Sequence, residues 1–347
     1  MSVKVVGGDG SPGRPTMRDV AALAGVGIKT VSRVVNDVPT VAPDLVARVN
    51  EAAAKLGYRP NLTASSLRRS DRRTSMIGLL LENVANPFSG AIQRAVEEVA
   101  RARGVLVLTG SLDEDPAQEK NLARALIDRG VDGLLVVPAG TDHSYLVGEQ
   151  RAGTQIVFLD RNPSLVAADN VRSDHHEGSV GAVAHLIDRG HRRIAYLGDR
   201  ADVSTARARH AGYLSALQAA GIGVSQQLVR ENLTTSEQAE NETRAVLELP
   251  QPPTALFTSQ NLVTIGALRA LRAAGLRGRI AHVGFDDVLL ADLLEPGLTV
   301  VAQDPREIGR LAVTRLFARI DGDRSPARTL VVPTRLIARG SGELPPS

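Results

Sequence analysis

The sequence predicts a small all-α headpiece followed by a larger α/β body of two lobes, each built on a parallel sheet. Three observations carry that expectation. Two short helical patterns near the N-terminus are split by a glycine-containing turn, short apolar runs alternate with amphipathic stretches from Ser75 onward, and charge divides unevenly between the two parts. Up to residue 75 the basic residues exceed the acids by 6, which leaves −3 for the rest of a chain whose total is +3. A basic head on a mildly acidic body suits contact with a polyanion, although a solvated surface is the plain alternative from charge alone. The 347 residues suffice for a small module and a larger one.

In the head, Thr16 precedes MRDVAALA with Asp19 three positions on, close to a capping box, and Val20, Leu23 and Ala24 share one helical face. Gly25 and Gly27 permit a tight turn, and IKTVSRVVN then repeats apolar positions at Val31, Val34 and Val35. Two helices joined in this way form the helix-turn-helix unit that reads DNA. The start of its second helix enters the major groove, so Ile28, Lys29 and Thr30 are expected at base edges and Ser32 and Arg33 at bases or phosphates. A third helix is expected from about Pro43 to Leu56, with Asp44 favourable to its dipole and Gly57 ending it. NLTASSL (61–67) and the arginines at 68, 69, 72 and 73 follow, which read as a linker or as a short helix unstable alone.

From Ser75 the runs MIGLLL, VLVLTG, GLLVVP and IVFLD, and then IAYLG, TALFTS and IAHVGFDD, alternate with helical stretches. Such alternation implies parallel sheets covered on both faces, with ligands held beyond the carboxyl ends of the strands. Polar residues collect there: Asn86 and Phe88 in NPF, Asp160 and Arg161 after IVFL, Arg209 in TARARHAGY, Gln260 after TALFTS, Asp286 in VGFDD and Gln303 in VVAQDP. Vicinal hydroxyls of a sugar both donate and accept, so amides, carboxylates, guanidinium groups and an aromatic face form a suitable set.

TMRDVAALAGVGIKTVSRVVND and ARVNEAAAKLGYRPN resemble the headpiece of the LacI/GalR family of repressors, and the similarity continues through nearly the whole chain. The resemblance implies a helix-turn-helix headpiece plus a periplasmic-binding-protein-like domain with Rossmann-like lobes. It divides the chain into a tail (1–15), a DNA-binding domain (16–60), a hinge helix and linker (61–74), an effector-binding and dimerisation domain (75–340) and a tail (341–347). It implies DNA contacts at Thr16, Ile28, Lys29, Thr30, Ser32, Arg33, Asn36 and Tyr58, and in the hinge at Asn61, Ala64, Leu67 and Arg68, with Leu67 wedged into the minor groove. It implies the strand-end residues above as the effector pocket, a homodimer, and a pseudo-palindromic operator. The chain departs from the family at Ala42, usually a capping Ser, and at Gln260-Asn261, commonly Asn-Asp. At Ser89 the related ribose binder has a second Phe. These changes leave the effector open beyond a sugar or related metabolite.

No cofactor is expected. GDGSPG (8–13) matches a dinucleotide fingerprint without its strand and helix, and the adjacent His175 and His176 have no third ligand and are expected on a helix starting near Asp174. No nucleophile elbow or supported carboxylate pair argues for an enzyme. No run is long and apolar enough for a membrane span, no secretory signal is evident, and the absence of cysteine excludes disulfides. The expected setting is therefore the cytoplasm, on the nucleoid. A sugar-binding transport component without a DNA role is the alternative.

Overall fold

The computed structural model describes residues 15–35, 38–58 and 73–346, in two compact units that meet in sequence between Thr74 and Ser75. The smaller unit contains three helices: α1 (Met17–Ala24), α2 (Ile28–Val35) and α3 (Pro43–Leu56). Thr16 and Asp19 form the reciprocal capping box that opens α1, and Gly25 ends it in the left-handed conformation at φ 62°. Arg48 on α3 donates to the carbonyls of Ala24 and Gly25, satisfying the end of α1. Ala42 makes no side-chain cap, yet α3 forms with Pro43 in its first turn. Val20, Ala24, Val31, Val34 and Val49 make the small core.

The larger unit contains two six-stranded sheets. The first is wholly parallel, in the order β11-β5-β4-β3-β1-β2, from β1 (Met76–Leu81), β2 (Leu106–Ser111), β3 (Gly133–Val136), β4 (Gln155–Leu159), β5 (Asp169–Ser173) and β11 (Thr329–Val332). The second has the order β12-β10-β9-β8-β6-β7, from β6 (Ile194–Leu197), β7 (Val229–Arg230), β8 (Ala255–Thr258), β9 (Ala281–Phe285), β10 (Thr299–Ala302) and β12 (Arg335–Ile337). Its edge strand β12 runs antiparallel to β10, where only parallel pairing was expected. Strands such as β1, buried from Ile77 to Leu81, are apolar because helices cover both faces.

The helices are α4 (Pro87–Ala102), α5 (Pro116–Asp128), α6 (Tyr145–Ala152), α7 (His175–Asp188), α8 (Ser204–Ala219), α9 (Ser236–Leu247), α10 (Asn261–Ala273) and α11 (Pro305–Ile320). The chain crosses between the sheets three times: from β5 to α7, from β10 to α11, and from β11 to β12. Helix α11 thereby returns to the first lobe, where Ile308, Val313 and Leu316 join the core of β1 and β4, and where Arg315 and Arg319 both hold Asp169 of β5 at 2.7 Å. The stretch from 341 was expected as a tail, but Ser341–Glu343 packs on the second lobe: Ser341 Oγ donates to the His282 carbonyl, and Glu343 accepts from Thr299 and Gly340. Among the described residues no helix is long and apolar enough to cross a membrane.

Candidate nucleic-acid interface and ligand cleft

Helix α2 divides cleanly by burial. Val31 and Val34 pack inward, Ile28, Lys29 and Arg33 are exposed, and Thr30 and Ser32 are half-buried. The five positions expected to read DNA thus share the outward side and first turn of α2, because one apolar stripe at helical spacing consumes the inward side. Ile28 is 46% exposed at the start of the helix. Thr16 is spent on the capping box, and Tyr58 packs partly against the small core. The expected contacts at Asn36, Asn61, Ala64, Leu67 and Arg68 lie outside the described residues.

In the larger unit a cleft of about 1020 Å³ opens between the lobes at the carboxyl ends of the strands. Five of the eight expected effector residues line it: Asn86, Phe88, Gln260, Asp286 and Gln303. Asn86 caps α4 through Phe88 N and also accepts a 2.8 Å bond from Asn261 Nδ2, which joins the two lobes across the cleft. Gln260 caps α10, its Oε1 accepting from the Leu262 and Val263 amides, so this amide secures the helix instead of facing outward as a free acceptor. Gln303 donates to Asp286 at 2.5 Å.

The structure separates Asp160, Arg161 and Arg209 from the lining of this cleft. Arg209 is 5% exposed; it donates to the Ser259 carbonyl at 2.6 Å, lies 4.1 Å over the Phe285 ring, and meets His175 Nδ1 at 3.3 Å. The other His175 nitrogen faces Asp160 at 3.5 Å. Burial and the Arg209 cation hold the His175 imidazole below its ordinary range. Burial alone would push the Asp160 carboxyl up, but His175, Arg209 and Arg161 together hold it below the usual carboxylate range. Arg161 forks onto Glu114 at 2.5 and 2.7 Å and borders a separate cavity of about 270 Å³. These three residues frame the join between the lobes. His175, set aside as a metal ligand, is its centre, and the helix does begin there with Asp174 as its cap.

Glu82 was missed. It follows the last residue of β1, is only 7% exposed, and lines the cleft. Its Oε1 accepts from Ser89 Oγ at 2.5 Å and from Asn86 Nδ2 at 3.2 Å, while its Oε2 has no hydrogen-bond partner among the described residues. Burial pushes this carboxyl up to about 7 against the Ser89 bond and the Arg161 cation. Asp199, at the end of β6 in the second lobe, also lines the cleft, and burial raises it too. The signal was available: both carboxylates end strands, as Asp160 and Asp286 do, and the latter two adopt left-handed φ values of 60° and 76°.

Comparison with known proteins agrees with both units. Residues 16–61 match the profile of bacterial regulatory proteins of the lacI family, and residues 183–342 match that of a periplasmic binding protein-like domain. The chain is 30% identical to the HTH-type transcriptional repressor CytR of Escherichia coli (strain K12) over 328 residues, covering 94% of this chain and 96% of that protein. Among solved structures it resembles the transcriptional regulator CelR in complex with cellobiose, with 32% identity, 94% and 100% of the two chains covered, and a TM-score of 0.70. It also resembles the Lac repressor dimer bound to operator and the anti-inducer ONPF, with 27% identity, 94% and 99% covered, and a TM-score of 0.84. A transport role finds no support among these regulators.

Proposed function

The chain belongs to the lacI family of bacterial regulatory proteins, and from that premise we propose that it is a homodimeric repressor whose hold on a pseudo-palindromic operator is set by a small ligand in the inter-lobe cleft. It is a DNA-binding transcription regulator and not an enzyme, and it works in the cytoplasm, on the nucleoid. The observation that carries the DNA-reading role is the division of α2, which buries Val31 and Val34 and leaves Ile28, Lys29 and Arg33 exposed. A dimer would seat one such helix in each half-site, with Lys29 and Arg33 as the main donors to bases or phosphates.

The cleft reading is supported by five lining residues of mixed polar and aromatic character at strand ends, and by similar proteins whose solved structures hold cellobiose or the anti-inducer ONPF. Asp286 and Gln303 are read as ligand-facing, whereas Asp160, Arg161 and Arg209 are read as the buried frame that couples the lobes. Three chain crossings and the Asn261–Asn86 bond let lobe closure differ between bound and free states, so the ligand shifts operator affinity by its differential affinity for the two. Selection of DNA from a random pool by the full chain tests the operator role. An enriched palindrome is expected, with specificity relaxed at one or two positions per half-site in Lys29→Ala. A pool with no enriched palindrome would sink it.

A further inference from the structure

On the reading of the cleft as the ligand site, we propose that Glu82 selects the ligand, admitting a neutral or amino-bearing sugar that donates to its free oxygen and rejecting sugar acids and sugar phosphates. The carboxyl is held in place on one side only. Ser89, itself fully buried, and Asn86 both donate to Oε1, which leaves Oε2 buried and with no partner among the described residues, on a side chain that lines the cleft. A buried acceptor in that condition is costly unless a ligand donates to it, and vicinal hydroxyls or an ammonium do so.

The surroundings favour donors over anions. Asp199 and Asp286 face the same cleft from the second lobe. The two buried guanidinium groups of the frame are already engaged, Arg161 with Glu114 and the Pro138 carbonyl, and Arg209 with Ser259 and His175. On the walls, Arg200 pairs with Asp202, Arg269 reaches Glu237, and Arg277 donates to the Glu295 carbonyl, while Arg272 stands exposed on α10. An anionic ligand would therefore meet the carboxyls of Glu82, Asp199 and Asp286, while among the described residues Arg272 is the one guanidinium of the lining not already engaged.

The test is calorimetric titration of the full chain near neutral pH with matched sets on common skeletons: glucose, glucosamine, gluconate and glucose 6-phosphate; ribose and ribose 5-phosphate; cellobiose and cellobionate. Binding is expected only among the neutral and amino-bearing probes, each at least about tenfold tighter than its acid or phosphate. Glu82→Gln should weaken the bound probe about tenfold and narrow the gap to the acid, and Ser89→Ala should do both to a smaller extent. A merely structural glutamate would weaken every probe alike, and an unmoved ratio overturns the assignment. So does an acid that binds as tightly as its neutral partner, or the failure of every neutral and amino-bearing probe at millimolar concentration. Asp286→Ala and Asn86→Ala separate the two claims. If they abolish binding while Glu82→Gln changes nothing, only the role of Glu82 falls; if they too leave a bound probe untouched, the cleft is not its site.

Discussion

At position 89 a serine stands where the related ribose binder has an aromatic ring, and its meaning lies seven residues earlier. Ser89 donates to Glu82, so a loss of stacking surface is matched by a gain of a held carboxyl. Neither residue explains itself in the sequence, because their pairing depends on how β1 leads into α4. The buried carboxyl has a measurable consequence for stability. Burial pushes it up to about 7 from the ordinary 4.5, so the folded chain keeps a proton that the unfolded chain releases. Its contribution is complete below about pH 4.5 and is lost as pH rises through about 7, an effect of at most about 3 kcal/mol. Glu82→Gln should therefore match the parent near pH 5 and melt a few degrees higher near pH 8. Thermal melts of both chains across this range decide it, and parallel curves would contradict the assignment.

At the scale of elements, helices were legible where one apolar stripe dominates. The capping box of α1 and the amphipathic pattern of α2 are local, and so is the Pro43 start of α3. Strand β5 was not legible: DNVRS carries Asp169, Asn170 and Ser173, all buried, which no alternation marks as a strand. What permits it is distant in sequence, since Arg315 and Arg319 of α11 neutralise Asp169. Helix pairing is similarly hidden. Gly266 of α10 lies so close to α9 that an added Cβ would stand 2.3 Å from the Ser236 carbonyl oxygen and 2.6 Å from the Ala239 Cβ. Gly266→Ala must push the two helices apart and should destabilise the body by about 1–3 kcal/mol, read as a lower denaturant midpoint with unchanged slope. An unaffected midpoint would show that this contact yields freely.

Across the whole molecule, the chain divides into two units between Thr74 and Ser75, and each has its own core. A chain beginning at Ser75 should keep the melting transition of the body and lose salt-sensitive DNA binding. Calorimetry and DNA titration at several salt concentrations check both parts. DNA binding that survives the truncation would remove the headpiece from its role, and a vanished transition would show that the body depends on it. Within the body the lobes are not consecutive segments. The alternating pattern suggests one series after another, yet α11 and β11 return to the first sheet and residues 341–344 close the second.

The sequence by itself determined the headpiece, the alternation of strand and helix, and the strand ends at which polar residues gather, because capping, periodicity and burial of a parallel strand act over a few neighbouring residues. Only the tertiary structure decided which of those residues face the cleft. Asp160, Arg161 and Arg209 turned into a buried frame, while Glu82 joined the cleft lining as a buried carboxyl held through Oε1. Partners such as Arg209 with His175, or Asn261 with Asn86, stand 34 and 175 residues apart, and hydrogen bonding over such separations is set by packing and not by any local pattern.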